Sequence, residues 1–401
     1  MKTFAAKDVL LPKSVDMTKW SVVSCDQFTS QPEYWQELEN YVKGSYTTLD
    51  LIFPEVYLGM DDENERIVKI NANMERYLSD GVFTAVKDSF ILIERTMKSG
   101  IKRVGIVGAV DLEDFDFSKN ARSVIRPTEG VVASRIPPRL KIRKDAKLEL
   151  PHIMLLIDDP NFKVIEPVYE KRNDYEKLYD FELNMGGGHI VGYKVPVGDV
   201  DFDFLTGEAE QKSKYGQTTN FIFAVGDGNH SLATAKTHWD EVKKGLSEEE
   251  KENHPARFAL CEINNVHSEG ITFEPIHRVV FGVDEGFIGY LKSTLSGESK
   301  LKVEYKNKTE FISVPALAPL AISEVQKAID NYGKGECDYI HGDEHLTNVA
   351  KAGDGVAVFM PKIEKSDLFR YVLENGVLSR KSFSMGEAEE KRYYTEARII
   401  K

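Results

Sequence analysis

The sequence is poor in cysteine, short of positive charge and without a long apolar run. Its three cysteines, Cys25, Cys261 and Cys337, lie far apart and form no C-x-x-C pair. That excludes a disulfide framework or zinc ribbon and fits a reducing cytoplasm. Basic residues number 52 against 65 acidic, a net charge of −13. Such a chain gains little from counterion release on nucleic acid and is repelled by an anionic membrane surface. Neither is expected as a partner. An anionic small molecule or nucleotide stays open, because a local cluster of donors overrides the global field. The longest apolar runs, such as 153–157 and 221–225, are far too short for a bilayer span. The segment Met1–Asp8 lacks the apolar run of a signal peptide. A soluble, cytoplasmic protein is expected, its oligomeric state not readable from composition. With Gly 29 and Pro 15 in 401 residues, collagen-like and low-complexity readings fall away.

What is present is globular: 41% hydrophobic, 29% charged and 10% aromatic residues. Strand and helix patterns intermix without repeats, so the expected class is α/β or α+β. Helices are predicted over 33–42 and 61–78, then strands over 89–95 and 103–110 joined by a turn at Lys98-Ser99-Gly100. Ile153–Ile157 reads as a strand buried on both faces. Met185–His189 reads as a turn between two strands. Further strands are predicted at 257–263, 271–281, 301–305, 338–341 and 356–360, and helices at 284–295, 322–332, 365–374 and 386–398. The charged run 141–147 and Pro151 suggest a boundary between an N-terminal region, 1–150, and a C-terminal region, 151–401.

The sharpest local signal is Phe221–Val225 followed by Gly226-Asp227-Gly228-Asn229-His230-Ser231. A buried strand feeds a tight turn and then a helix whose face reads Leu232, Ala235, Trp239, Val242. Gly226 and Gly228 let the backbone approach a ligand, and Asp227, Asn229 or Ser231 can cap the helix. The amides and dipole of a first helical turn favour phosphate, and His230 can contact it or shuttle a proton. A strand–turn–helix junction with routine capping is the plain alternative. The dinucleotide fingerprint is incomplete, reading G-x-G-x-x-S, and no Walker motif occurs.

Other groups stand apart in sequence. Arg126, Glu129, Arg135 and Arg139 share a proline-punctuated segment. Arg forks suit phosphate, and a carboxylate can take a hydroxyl proton or hold Mg²⁺. A surface loop with ion pairs is the alternative. His277 and Arg278 offer an acid/base and an anion clamp, against a half-buried strand. Lys381, Ser384, Lys391 and Arg392 add polar groups near the C-terminus. His341-Gly342-Asp343-Glu344-His345 suggests a metal-dependent hydrolase, although a polar turn explains it as well. Asp26 is a further site candidate, and Cys25 reads as a buried free thiol.

The box Gly226–Ser231, with Arg126-Pro127-Thr128-Glu129-Gly130, Arg135–Arg139, Leu150-Pro151-His152-Ile153, Pro275-Ile276-His277-Arg278 and the segment 379–394, resembles the family called domain of unknown function 1015. That family is often labelled ParB-like. The box resembles more distantly the phosphate-binding turn of the ParB/sulfiredoxin superfamily, whose members bind CTP or ATP and include free-serine kinases. The resemblance implies a ParB/sulfiredoxin-like core with added elements, and a phosphate-holding role for Gly226, Gly228, Asn229 and Ser231. It implies catalysis by Glu129, Asp227, His230 and His277, and anion contacts from Arg126, Arg135, Arg139, Arg278 and Lys381. Asp227 or Glu129 is the expected Mg²⁺ ligand, with ATP, ADP or CTP as cofactor. No cysteine lies in the box, which argues against peroxiredoxin repair. The expected activity is phosphoryl transfer to or from a small hydroxylated metabolite, serine or phosphoserine first. The alternatives are a nucleotide-binding regulatory protein and the metal-dependent hydrolase.

Overall fold

The computed structural model describes residues 3–401 and has 38% helix and 28% strand. The class is mixed α/β, as the intermixed patterns predict. Contacts divide the chain into two units. Unit 1 holds the described residues through Pro127, Val131–Ile271 and Glu387–Lys401; unit 2 holds Thr128–Gly130 and Thr272–Gly386.

Unit 1 is built on a nine-stranded mixed sheet. Its strands are β1 (Phe4–Ala5), β2 (Ser89–Thr96), β3 (Lys102–Asp111), β4 (Ile125–Pro127), β5 (Met154–Ile157), β6 (Glu176–Leu183), β7 (Gly188–Pro196), β8 (Phe223–Asp227) and β9 (Phe258–Asn265). They lie in the order β6-β7-β2-β3-β9-β5-β8-β4, with β1 pairing with β3. Strands from before and after residue 150 therefore share this sheet. The β2–β3 and β6–β7 hairpins form where the turn signals predict them, and Gly100 (φ +85°) takes the left-handed position between the first pair. β5 runs parallel to β9 and antiparallel to β8, and all four of its residues are buried. Alternation divides the apolar residues between two layers. Ile91, Ile93 and Val107 join one cluster, with Trp20, Trp35 and Tyr394; Phe90, Leu92 and Ile106 join the other, with Phe223 and Trp239.

Two helices of unit 1 carry predicted site residues. Residues Ile136–Arg143 form α1, with Pro in its first turn, and Asn229–Val242 form α2. α2 buries Leu232, Ala233, Ala235 and Trp239, the face its spacing predicts with only Val242 left half-buried. Fully burying a Leu or Trp-sized side chain stabilises the docking by about 1.5–3 kcal/mol each. Trp239 Nε1 donates to Glu113 Oε1 at 2.6 Å, which satisfies its one buried donor.

Unit 2 carries a six-stranded antiparallel sheet. Its strands are β10 (Phe273–Phe281), β11 (Ser299–Tyr305), β12 (Lys308–Val314), β13 (Glu336–His341), β14 (Val356–Phe359) and β15 (Phe383–Met385), in the order β12-β11-β14-β10-β13 with β15 on β10. Helices α3 (Glu285–Thr294), α4 (Ala318–Tyr332), α5 (Asp343–Ala352) and α6 (Lys365–Asn375) accompany it.

One expectation is overturned. Beyond one 3-10 turn at Ala388–Glu390, the helix predicted at 386–398 is extended chain: Tyr393–Tyr394 pair with Val22–Val23, and Arg398–Ile399 pair with Leu148–Glu149. Distant polar partners override local helical spacing there. Arg392 meets Glu262 (3.0 Å) and Glu396 (2.8 Å), and Arg398 meets Glu149 (2.9 Å), all of them buried. A buried charge needs such a partner, so these pairings dictate the backbone path.

Candidate functional site

The Gly226–Ser231 corner lies at the end of β8, in unit 1. Gly228 is the helix N-cap residue and sits in the left-handed region at φ +79°. A Cβ there would come within 3.0 Å of Ile153 Cα, so glycine answers both conformation and packing. No side chain caps the helix, contrary to the expectation for Asp227, Asn229 or Ser231. Each is drawn elsewhere. Asp227 Oδ1 accepts from the Gly228 amide at 3.0 Å, and its Oδ2 lies 3.2 Å from Lys391 Nζ. Asn229 Nδ2 donates to the Val225 carbonyl at 3.4 Å, while its Oδ1 is buried and meets no donor among the described residues. Ser231 Oγ lies 2.6 Å from His152 Nε2.

His152 extends this contact into a chain. Its Nδ1 is 2.7 Å from the Tyr394 hydroxyl, which also accepts from the Cys25 amide at 3.1 Å. His152 and Tyr394 are buried. Two neighbouring segments, joined by the Glu55 amide donating to the Cys25 carbonyl at 2.8 Å, supply Asp26 and Glu55, whose carboxyls shift in opposite directions. Burial alone would raise Asp26, but the charge of His152, the Gln27 amide and Lys391 outweigh it and hold the carboxyl below its ordinary value. Burial pushes Glu55 up, Arg139 only partly offsets it, and the Asp26 charge adds to the rise. The Arg139 guanidinium, on α1, donates to Glu55 Oε1. Two carboxyls driven apart in this way divide naturally between an ionised group and a proton carrier.

Glu55, Arg139 and the Ser231–His152–Tyr394 chain border a cavity of about 150 Å³ inside unit 1. Cys25, Glu55, Arg139, His152, Ser231 and Tyr394 are among its polar residues, with Arg143 and Glu149; Ile52, Phe53, Met74, Leu148 and Leu260 are among its apolar ones. That is about the size that admits a benzene ring.

The other predicted residues are spread over both units. His230 Nε2 accepts the Val132 amide at 3.1 Å, so that nitrogen is engaged by backbone. Arg126 is buried, donates to the Ser123 carbonyl (2.9 Å) and Asn220 Oδ1 (3.1 Å), and stacks over Phe221. Arg135 is exposed on the approach to α1, and its carbonyl accepts from Arg139. In unit 2, Glu129 accepts the Ser382 amide at 3.3 Å. Arg278, fully buried, donates to Gln326 at 2.7 Å and to the carbonyls of Ile276 and Arg380. Glu129, Arg278 and the loop carrying exposed Lys381 are thus neighbours within that unit. His277 Nδ1 accepts the Met360 amide, and its Nε2 donates to Asp343 Oδ1 at 2.9 Å. Burial lowers the His277 pKa, and Asp343 opposes that shift. His341 and His345 are exposed, and among the described residues no group of three or more His, Cys, Asp or Glu is placed to hold a metal. The hydrolase built on those two histidines therefore has no ligand set.

Asp227 commits both oxygens to Gly228 and Lys391, and Glu129 is engaged by Ser382. Neither is part of a carboxylate cage for Mg²⁺, an ion held commonly through substrate phosphates. Glu55 is invisible to sequence reasoning because nothing local marks it. His152 lies within a family segment, and Lys391 and Asp26 stand in the sequence as isolated polar groups; only the fold brings them to one corner.

A mixed sheet with a glycine turn, a half-buried Ser–His contact and two unlike carboxyls defines an α/β protein with a small cavity. The chain belongs to the family described as Protein of unknown function (DUF1015), whose pattern matches residues 6–335. No curated protein matches it. Among solved structures it is similar to a mutant free serine kinase in complex with ADP, at 11% identity and TM-score 0.41, over 75% of this chain and 94% of that one. It is also similar to a conserved hypothetical protein from Pyrococcus furiosus (13% identity, TM-score 0.37, 75% and 97% covered). A third is SbnI with C-terminal truncation from Staphylococcus aureus (9% identity, TM-score 0.37, 70% and 82% covered). No helix is long and apolar enough to cross a membrane among the described residues.

Proposed function

We propose that this protein transfers a phosphoryl group to or from a small hydroxylated metabolite at the unit 1 corner, with serine or phosphoserine the leading substrate. The observation that carries this reading is the pairing of carboxyl and cation at one corner, Glu55 with Arg139 and Asp227 with Lys391 (3.2 Å), with burial raising Glu55 while Asp26 is held low. Phosphoryl transfer asks for little else: a base for the attacking hydroxyl and fixed positive charge for the equatorial oxygens. Glu55, with its raised pKa, is suited to accept the hydroxyl proton and return it. Lys391 and the first turn of α2 neutralise phosphate oxygens. Asn229 Oδ1 is an unmet acceptor suited to a ligand donor.

The 150 Å³ cavity suits a metabolite of about seven heavy atoms, such as serine, and is well below the roughly 300–1,000 Å³ of pockets that enclose larger ligands. ATP, ADP or CTP would lie with its phosphates at the corner and its nucleoside outside the cavity. Mg²⁺ enters this reading as the counter-ion of those phosphates. A ParB/sulfiredoxin-like kinship of the turn agrees with that placement.

The test is phosphorus-31 NMR of the protein with Mg²⁺, serine and ATP or ADP, and separately with phosphoserine. Turnover is expected in one direction, reduced about 10²–10³-fold in Lys391→Met. Absence of turnover in both directions removes the proposal.

A further inference from the structure

The Ser231–His152–Tyr394 chain has a geometry that phosphoryl transfer does not require. We infer that Ser231 is an activated nucleophile, with His152 as its base, that takes an acyl group from small esters entering the unit 1 cavity. Four observations converge. Ser231 Oγ lies 2.6 Å from His152 Nε2, within reach for proton transfer. His152 Nδ1 lies 2.7 Å from the Tyr394 hydroxyl, which holds the ring in place against Ser231. Asp26 and Glu55 both interact electrostatically with His152, so the imidazolium formed on proton transfer is compensated. Finally, Ser231 and His152 border a cavity whose lining, apart from Glu55, Arg139, Arg143 and Glu149, is largely aliphatic, which gives a small acyl or aryl group apolar surface to pack on.

The steps balance without any redox partner. Ser231 Oγ attacks the ester carbonyl carbon and its proton passes to His152 Nε2. The carbon–oxygen bond to the leaving alcohol breaks, and His152 returns the proton to that oxygen. Water then attacks the acyl-serine carbonyl, His152 takes its proton, and the carboxylic acid departs as Ser231 recovers its hydrogen. Ser231 lies in the first turn of α2, whose positive dipole end favours the oxyanion formed in both halves. Tyr394 touches no reacting atom and is a positioning residue.

This inference shares the cavity with the phosphotransfer reading but needs neither nucleotide nor phosphate, so the two stand or fall by different measurements. The probe is phenylmethanesulfonyl fluoride, whose ring is of the cavity's size. Oγ–sulfur bond formation expels fluoride, with the proton again passing to His152. The full chain is incubated with it, and the adduct is located by peptide mass spectrometry. p-Nitrophenyl acetate hydrolysis provides the rate. A single adduct on Ser231 is expected, absent in Ser231→Ala and formed about 10²–10⁴-fold more slowly in His152→Gln. Tyr394→Phe should lower the rate less and move its pH profile, an effect that a purely structural role would not produce. No adduct, an adduct elsewhere, or labelling of Ser231 at an unchanged rate in His152→Gln overturns the inference. Should His152→Gln fail to fold, an unchanged rate and pH profile in Tyr394→Phe does so.

Discussion

Replacing Gly228 by alanine isolates the packing that seats the corner. At φ +79°, an L-residue costs about 1–2 kcal/mol. The new Cβ would also meet Ile153 Cα at 3.0 Å and Cγ1 at 3.1 Å, on the residue just before β5. Backbone leading into a buried strand, its carbonyl held by the Glu262 amide, cannot retreat cheaply, and overpacking of this kind costs about 1–3 kcal/mol. Gly186 is the internal control: its φ is +80°, yet a Cβ there meets nothing within 4 Å. Gly186→Ala should therefore carry the conformational cost alone, and Gly228→Ala should exceed it by about 1–3 kcal/mol. With a urea m-value of about 3 kcal/mol/M for a unit of this size, its midpoint falls about 0.3–1 M lower than that of Gly186→Ala. The assay is tryptophan fluorescence, because Trp20, Trp35 and Trp239 all lie in unit 1 and report on it alone. Equal midpoints for the two variants would refute the seating of Gly228 on Ile153.

Two further outcomes test the fold. Burial, with Arg143 and Lys401 adding to it, pushes the His238 pKa down to about 4. The unfolded chain then binds the proton first, so stability is full above pH 6.5 and falls by about 3 kcal/mol as pH drops to about 4. His238→Gln should flatten that slope in urea titrations across this range; an unchanged slope contradicts the assignment. Arg278, buried with partners at Gln326, Ile276 and Arg380, should cost unit 2 about 3 kcal/mol when replaced by leucine, through its lost charged hydrogen bonds. Hydrogen exchange along β10 measures this, and protection at the native level would count against it.

Much of the fold is legible because periodicity and turn chemistry agree locally. The β2–β3 hairpin, buried β5 and the β8–α2 junction each arise from one short continuous run of sequence. The tail 386–398 is not legible, since its path is set by Glu149, Glu262 and Val22–Val23, far away in sequence. The site divides in the same way. Asp227, Asn229 and Ser231 declare themselves by their glycine turn, whereas Glu55, Arg139, His152 and Lys391 meet only after β5, α1 and the C-terminal segment have packed. Capping departs from expectation for a related reason: nearby polar groups offer Asp227 and Ser231 partners other than the amides of the first helical turn.

On the proposed function, the unit 1 corner binds a small phosphate-bearing metabolite through Lys391 and Arg139. Calorimetric titration with O-phosphoserine measures it directly. The predicted result is one site per chain, with affinity at least about 10-fold weaker in Lys391→Met and in Arg139→Met, the loss of roughly 1.4 kcal/mol or more that a charged contact supplies. No binding by the wild-type chain, or equal affinity in all three proteins, would contradict the account.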